Sequence, residues 1–227
     1  MTDDVTLSRA EAIELARTAL VRVGMVEGAA SALARAVVDA ESVGKSTTGF
    51  AHLTDYLRGV IDGRIDGRAE PQITSPVPAI TKCDAMGGIS QYGFDIACEE
   101  LATKAKALGV SIFTSHNSYT TGELGWYVAR LAEQGLVALA ATNGPALLAG
   151  AGSTQPVYCT NPLAFAAPLE DGRLVLIDQA SSATAFVNIR QAAARGEAIP
   201  DSWALDQDGK PTTDPFAAMQ GALLAFG

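Results

Sequence analysis

The stretch GKSTTGFAHLTDY, residues 44–56, places a loop of small residues with two adjacent hydroxyls directly before an amphipathic helix. The helix is indicated by apolar residues at helical spacing, namely Leu53, Tyr56, Leu57, Val60 and Ile61. A helix N-terminus offers unpaired backbone N–H groups and a partial positive charge, so this loop could hold a carboxylate or form part of an active site. Thr47 or Thr48 could equally be the cap of the helix. Both interpretations stay open at this point.

Two further helices are predicted before this stretch. Ser8 and Glu11 have the spacing of a capping box, and apolar residues then recur at helical spacing. A second apolar stripe ends at Gly44, a natural C-cap. We therefore predict an N-terminal helical segment over residues 1–76, which contributes the loop with the two hydroxyls.

After this segment the pattern changes to short β-rich runs that alternate with helical ones. Strands are predicted over residues 79–84, 110–115, 136–141, 163–167 and 174–177. The alternation indicates an α/β body, which we place at residues 77–227. Alternation alone would suggest a doubly wound sheet that binds a dinucleotide, but the glycine fingerprint is incomplete, because Gln155 follows Gly150 and Gly152 where a third glycine belongs.

The composition is that of a folded, acidic protein. Of its 227 residues, 48% are hydrophobic and 18% charged, and the net charge is -9 at pH 7. This charge would repel nucleic acid and anionic lipid. The acidic start Met1–Val5 lacks the cationic region of a signal peptide, and no apolar run is long enough to span a bilayer. We expect a soluble, cytoplasmic protein with neither nucleic acid nor a membrane as partner.

Metal-ligating residues are scarce. Cys83, Cys98 and Cys159 are scattered without C-x-x-C spacing, and His52 and His116 are the only histidines. We therefore predict neither a metal site nor a disulfide framework. The cysteines are expected to be small buried residues, and His116, at the end of a strand, is expected to be structural.

Six short stretches carry a resemblance that none of them would carry alone. They are DAMGG at 84–88 with Gln91, HNS at 116–118, EQGLVAL at 133–139, TNPLAFAAP at 160–168, DQASS at 178–182 and DGKPTTDP at 208–215. In this order they resemble the malate/L-lactate dehydrogenase-like family of NAD(P)-dependent oxidoreductases, which is distinct from the Rossmann lactate dehydrogenases. The nearest likeness is to its piperideine-2-carboxylate and pyrroline-2-carboxylate reductase branch, and it covers nearly the whole chain.

The resemblance implies a non-Rossmann α/β fold, with an N-terminal helical layer and a mixed, largely antiparallel sheet flanked by helices. It implies a homodimer that uses NADP or NAD and transfers hydride to a small 2-imino (cyclic ketimine) or 2-keto carboxylate. It also implies a further C-terminal segment that helps to hold the cofactor phosphates. The body at 77–227 is therefore expected to be incomplete at its C-terminus.

The catalytic turn of the family reads Ser-His-Gly, followed by an arginine that binds the substrate carboxylate and then by a tyrosine. The resemblance places these positions, in the same order, at Thr47, Thr48, Gly49, His52 and Tyr56. A second histidine of the family falls on Thr120, so both histidines are threonines here. A threonine hydroxyl is a poor proton donor, which disfavours simple keto-acid reduction. A ketimine can bind already protonated as an iminium and needs less acid assistance.

The predicted roles of the site residues follow from this correspondence. Thr47, Thr48 and Asp178 are predicted to be catalytic, because Asp178 matches the acid of the family's Ser-His-Asp relay; Asp178 could instead cap the next helix. His52, Tyr56 and Thr120 are predicted to bind substrate. His52 could contact a carboxylate if protonated, although it lacks the bidentate fork of arginine.

Cofactor contacts are predicted in segments that keep the family pattern. The residues are Thr120, Thr121, Gly122, Thr160, Asn161, Ile177, Asp178 and Gln179. Each segment also has a local alternative, namely helix capping or a turn before Pro162.

The combined loss of both histidines and the arginine supports an alternative function. In this second hypothesis the chain is a catalytically degenerate paralogue that acts as a binding or regulatory subunit. A third hypothesis is a lyase or dehydratase in which the threonines serve a different proton transfer.

Overall fold

The fold is that of a computed structural model, which describes residues 5–226. The acidic start at residues 1–4 and the final Gly227 lie outside the described residues. The chain divides into two compact units, unit 1 with residues 5–137 and 167–174, and unit 2 with residues 138–166 and 175–226. The boundary predicted between residues 76 and 77 is not where the structure divides the chain.

Unit 1 combines helices with a three-stranded sheet. Its elements are α1 (Arg9–Arg22), α2 (Glu27–Ser42), α3 (Phe50–Ile61), β1 (Gln72–Val77), β2 (Ile80–Asp84), α4 (Ser90–Leu108), β3 (Ile112–His116) and α5 (Gly125–Ala132). The middle strand is β2, which pairs antiparallel with β1 and parallel with β3. Strand β1 escaped the sequence analysis because its residues are mostly exposed and carry no alternating apolar pattern.

Helices α1, α2 and α3 form the predicted N-terminal helical layer. The capping box of α1 is present, since the Ser8 N–H donates to the Glu11 carboxylate and the Glu11 N–H donates to the Ser8 hydroxyl. The buried face of the layer packs around Leu33, and the same core cluster includes Ile65 and Ile89, which lie beyond the third helix. Because one core holds the helices and the start of α4, no domain boundary falls at residue 76.

Unit 2 contains two small sheets and two helices within the described residues. Its elements are β4 (Ala138–Ala141), β5 (Leu148–Ala149), β6 (Pro156–Tyr158), β7 (Leu163–Pro168), β8 (Leu174–Gln179), α6 (Phe186–Arg195), β9 (Ala204–Leu205), α7 (Pro215–Gln220) and β10 (Ala222–Leu223). The strand orders are β4-β7-β8 and β6-β5-β10-β9. Four of the strand pairings with a defined register are antiparallel and two are parallel. The predicted mixed, largely antiparallel α/β class is confirmed, although the strands form three small sheets.

The apolar run from residue 221 to 226 contains the two-residue strand β10 (Ala222–Leu223). Ala222 and Leu223 are buried between β5 and β9, and Leu223 joins a core cluster with Ile189 and Ile199. The strand follows Gly221, where an added Cβ would overlap the Leu205 carbonyl. Ala222 and Leu223 are therefore core residues of unit 2, whereas Phe226 is 70% exposed.

Three further expectations concern the cysteines, membrane-spanning helices and metal ligands of the described residues. Cys83 and Cys98 are buried free thiols, as predicted, whereas Cys159 is partly exposed. No helix among residues 5–226 is both long and apolar enough to cross a membrane. The same residues contain no cluster of three or more His, Cys, Asp and Glu side chains that could hold a metal ion.

Candidate active site

The turn at residues 44–49 joins α2 to α3, and its cap differs from the predicted one. The N-cap position of α3 is Gly49, and the Phe50 N–H donates to the Glu41 carboxylate at 2.8 Å. A Cβ at Gly49 would overlap that carboxylate. The prediction that Thr47 or Thr48 caps the helix is therefore wrong, because a carboxylate from α2 already occupies the helix N-terminus.

The hydroxyl of Thr48 is turned toward its own turn. It donates to the Lys45 carbonyl at 3.2 Å, and the Thr48 and Gly49 N–H groups donate to the same carbonyl. Both Thr47 and Thr48 are partly exposed. Helix capping therefore does not account for these two hydroxyls. Their catalytic role stays a prediction.

An ion pair joins this turn to the loop that precedes α5. The Lys45 Nζ donates to Glu123 Oε1 at 2.6 Å. The Glu123 side chain is only 7% exposed, whereas the Lys45 side chain is 37% exposed. Glu123 directly follows Thr120-Thr121-Gly122, so the structure brings the predicted catalytic turn and this loop together.

Tyr56 supports the loop from within the core. Its buried hydroxyl accepts a hydrogen bond from Gln91 Nε2 at 3.3 Å and forms a second hydrogen bond with the Thr120 side chain. Gln91 Nε2 also donates to the Thr121 carbonyl at 2.8 Å, and the Tyr127 hydroxyl donates to that carbonyl at 2.9 Å. Burial raises the pKa of Tyr56 and of Tyr127, so both remain neutral hydroxyls at physiological pH.

The same network explains the glycine in the loop. Gly122 has a φ of 67°, and an added Cβ would lie 3.1 Å from Gln91 Nε2 and 3.2 Å from the Tyr56 hydroxyl. The Gly122 N–H donates to Thr120 Oγ1 at 3.4 Å. The N-cap position of α5 is Leu124, so the alternative that Thr120 or Thr121 caps this helix is wrong. Tyr56 is enclosed, so of the predicted substrate contacts Tyr56 and Thr120 it is Thr120 that is the more accessible.

We expect Gln91→Leu to lower the free energy of unfolding by about 1–3 kcal/mol, because it removes the donor shared by Tyr56 and Thr121. Gln91 is 1% exposed, so water cannot readily replace its amide. Urea denaturation measures the loss. The matched control is Gln72→Leu at an exposed position of β1, which should change stability by less than about 0.5 kcal/mol. Equal effects of the two substitutions would contradict the role given to Gln91.

His52 lies in the first turn of α3 beside a chain of charged and aromatic groups. Its ring meets the Tyr56 ring edge-on at a centroid distance of 4.7 Å, and its Nε2 lies 3.8 Å from the Asp55 carboxylate. The same carboxylate accepts from the Tyr119 hydroxyl at 2.9 Å, and Arg64 donates to that hydroxyl. Asp55 would stabilise a protonated His52, which is the form needed to bind a carboxylate.

In unit 2 the predicted cofactor residues meet at one end of the paired strands β7 and β8. The Ser181 N–H donates to the Thr160 carbonyl at 2.7 Å, and the Ser181 hydroxyl donates to the Asn161 carbonyl at 2.9 Å. Ser181 lies two residues after Gln179, the last residue of β8. The corner Thr160-Asn161 and the strand end at 177–179 are thereby brought together.

Asn161 has an acceptor that lacks a donor. Its Oδ1 is buried and receives no hydrogen bond from the described residues. The backbone has a φ of 34°, in the left-handed region that asparagine tolerates better than most residues. A buried acceptor without a donor costs about 1–3 kcal/mol, so this oxygen fits a ligand that presents an amide or hydroxyl donor. A dinucleotide carries both kinds of donor.

Asp178 lies within β8. Helix α6 begins at Phe186 with Ala185 as its N-cap, so the alternative that Asp178 caps the next helix is wrong. Ile177, which precedes it, is exposed. The catalytic and cofactor roles of Asp178 stay predictions.

Three contributors to the site escaped the sequence analysis. Glu41 lies eight residues before Gly49 and on another helix, and Lys45 and Glu123 are separated by 78 positions. Pairings of this kind leave no periodic signal in one sequence. Gln91 belongs to one of the six motifs, but its hydrogen bond to Tyr56 joins residues 35 positions apart and leaves no local signal.

Comparison with known proteins identifies the family. Residues 7–227 match the family described as malate/L-lactate dehydrogenase. The chain belongs to this family. This malate/L-lactate dehydrogenase family member is 37% identical over 100% of its length to a Delta(1)-pyrroline-2-carboxylate reductase of Pseudomonas fluorescens, of which it covers 68%. It is 36% identical over 91% of its length to a Delta(1)-pyrroline-2-carboxylate/Delta(1)-piperideine-2-carboxylate reductase of Pseudomonas putida, of which it covers 61%.

Solved structures agree with this assignment. The chain matches the delta1-piperideine-2-carboxylate reductase of Pseudomonas syringae with a TM-score of 0.94 at 34% identity, covering 99% of this chain and 68% of that one. It also has the fold of a malate dehydrogenase from Entamoeba histolytica, with a TM-score of 0.90 at 24% identity, covering 97% of this chain and 63% of that one. The predicted family, fold and oxidoreductase class are confirmed, and the chain spans about two thirds of the length of these relatives.

Proposed function

We propose that this family member is an NAD(P)H-dependent reductase that transfers hydride to a small 2-imino (cyclic ketimine) or 2-keto carboxylate. The observation that supports the proposal is that the turn with Thr47 and Thr48 and the loop with Thr120 lie together in unit 1. The Lys45–Glu123 ion pair and the Tyr56–Gln91–Thr121 network hold the turn with Thr47 and Thr48 beside the loop of Thr120.

The proposed cofactor is NADP or NAD, which supplies the hydride when bound. In unit 2 we infer contacts from Thr160, Asn161, Ile177, Asp178 and Gln179, and in unit 1 from Thr120, Thr121 and Gly122. The donor-free Oδ1 of Asn161 supports a ligand with amide or hydroxyl donors at this corner. One relative, the (2R)-3-sulfolactate dehydrogenase (NADP(+)) of Chromohalobacter salexigens, carries NADP(+) in its name. It is 35% identical over 97% of this chain.

The substrate preference follows from the acid strength of the residues present. Thr48 and Thr120 offer hydroxyls that can position a substrate but are poor acids. We propose that His52, which lies beside Asp55, binds the substrate carboxylate. Tyr56 is proposed to orient Thr120 through the hydrogen bond between their side chains. A cyclic ketimine carries its own proton as an iminium, so we propose that it is reduced more readily than a keto acid.

We expect Asn161→Gly to weaken NADPH or NADH binding by about three- to tenfold, the effect of losing one hydrogen bond. Glycine retains the positive φ at this position and removes only the side chain. Nicotinamide fluorescence titration measures the change. The control is Asn117→Gly, which alters another asparagine with positive φ, at 52°, and should leave the affinity unchanged.

The experiment that tests the function is a titration of the protein with NADH and NADPH, followed by absorbance measurements with cyclic ketimines and keto acids. Binding with oxidation of the nicotinamide supports the reductase. Binding without turnover of any substrate would favour the alternative of a regulatory subunit, and no binding of either cofactor would contradict the proposal. We also propose a homodimer in the cytoplasm, and light scattering of the purified protein tests the dimer.

A further inference from the structure

The two side chains of the Lys45–Glu123 ion pair differ strongly in their exposure to solvent. The Glu123 carboxylate is almost completely buried, at 7% exposure, while the Lys45 side chain keeps 37% exposure. Burying one carboxylate costs free energy unless a cation compensates for it, so the ammonium group is held firmly at this place. It is held between the turn of Thr47 and Thr48 and the loop of Thr120.

We propose that Lys45 donates the proton to the substrate oxygen when this protein reduces a 2-keto carboxylate, and that Glu123 positions its ammonium group. This inference rests on the proposed function. It gives the family's chemistry a proton donor in a chain in which both catalytic histidines are threonines.

The other ionisable groups around the turn fit this role less well. The Glu41 carboxylate accepts from the N-terminus of α3, and Asp55 accepts from Tyr119 and lies beside Arg64. An ionised carboxylate is an acceptor only. The ammonium group of Lys45 is charged at neutral pH and is a stronger acid than a threonine hydroxyl.

The step balances without a further reactant. The substrate carbonyl is reduced when a hydride adds to its carbon and the nicotinamide is oxidised. The π-electron pair of the C=O bond moves to the oxygen, which takes a proton from Lys45 Nζ. An N–H bond breaks and an O–H bond forms, giving the hydroxy acid. Water then returns the proton to the partly exposed lysine. For an iminium substrate no such proton is needed.

Two substitutions separate proton donation from mere positioning. Lys45→Met removes the charge, and Lys45→Arg keeps a cation for Glu123 but holds its proton too tightly to donate it. We expect Lys45→Arg to lower kcat for a keto acid by about 10²-fold, the usual size of a general-acid contribution, and to change kcat for a cyclic ketimine less than about threefold. Lys45→Met also leaves Glu123 without its cation, so it should lower both rates, and the keto-acid rate by about 10²-fold more than the ketimine rate. The control is Lys106→Met at an exposed position of α4, which should alter neither rate.

Binding and pH dependence supply readouts beyond activity. Cofactor titration by fluorescence should give the same Kd for wild type, Lys45→Arg and Lys106→Met. With wild type, keto-acid turnover should persist to about pH 8, where an imidazolium donor would already have lost its proton.

Three results would overturn the assignment. The first is keto-acid turnover by Lys45→Arg at the wild-type rate, which would mean that the ion pair has only a structural role. The second is an equal loss for ketimine and keto acid in Lys45→Met. The third is a wild-type protein that binds nicotinamide and reduces ketimines but no keto acid. A wild-type protein that binds no cofactor would contradict the proposed function itself, and the assignment with it.

Discussion

Replacing Phe94 with alanine is expected to lower the free energy of unfolding by about 3–5 kcal/mol, the range for truncation of a buried aromatic residue. Phe94 is 2% exposed and lies at the centre of an aromatic cluster. Its ring meets those of Phe113, Trp126 and Tyr127 at centroid distances of 5.6, 5.7 and 4.9 Å. Arg130 covers the cluster, with its guanidinium 5.7 Å from the Phe94 ring.

The loss is expected to reach the candidate site through α5. Tyr127 belongs to the same helix as Trp126, and its hydroxyl holds the Thr121 carbonyl. When the Phe94 ring is removed, α5 loses its aromatic contacts with α4 and keeps the ion pair between Arg130 and Asp95, so the loop of Thr120 loses part of its support. We therefore expect the variant to lose cofactor or substrate affinity in addition to stability.

Urea denaturation followed by tryptophan fluorescence measures this effect, because Trp126 is in the cluster. The control is Ile96→Ala, on the exposed face of the same helix, where the side chain is 52% exposed. A surface change of this kind is expected to stay within about 0.5 kcal/mol. Similar losses for the two variants would contradict the contribution given to the Phe94 cluster.

The parts of the fold that the sequence could predict are those with a local signal. The capping box at Ser8 and Glu11, the apolar stripe of α2 and the alternating strand β7 are each encoded within one short window. Strand β1 and the two-residue strands β5 and β9 have no such window, because their pairing depends on distant partners. Short pairings of this kind are decided by tertiary packing.

The candidate site was predictable only where it follows the family pattern. Thr47, Thr48 and Thr120 were found because the positions around them keep that pattern. The ion pair of Lys45 and Glu123 could not be predicted, because neither residue stands out in its local sequence and the two are far apart in the chain. The alternative that Thr47 or Thr48 caps α3 is wrong for the same reason, because Glu41 reaches the N-terminus of α3 from another helix.

Replacing Thr48 with histidine is expected to raise kcat for a keto acid by about 10²-fold while changing ketimine turnover little. An imidazolium is a stronger acid than either an ammonium group or a hydroxyl, so it donates more readily to the developing alkoxide. Thr48 is partly exposed and its hydroxyl donates to the Lys45 carbonyl, so a larger side chain displaces little. The ratio of keto-acid to ketimine turnover is the quantity to measure.

The matched control is Thr54→His, the same substitution on the exposed face of α3, which should leave that ratio unchanged. A second comparison places Thr48→His in the Lys45→Met background, where a restored keto-acid rate indicates that the imidazole replaces the lysine as acid. The gain at Thr48 should decline as the pH rises through the ordinary range of histidine, because the neutral ring no longer donates a proton to the alkoxide. An unchanged ratio of keto-acid to ketimine turnover in Thr48→His would contradict the placement of this turn beside the reacting carbonyl, because an imidazole at that place would assist proton transfer.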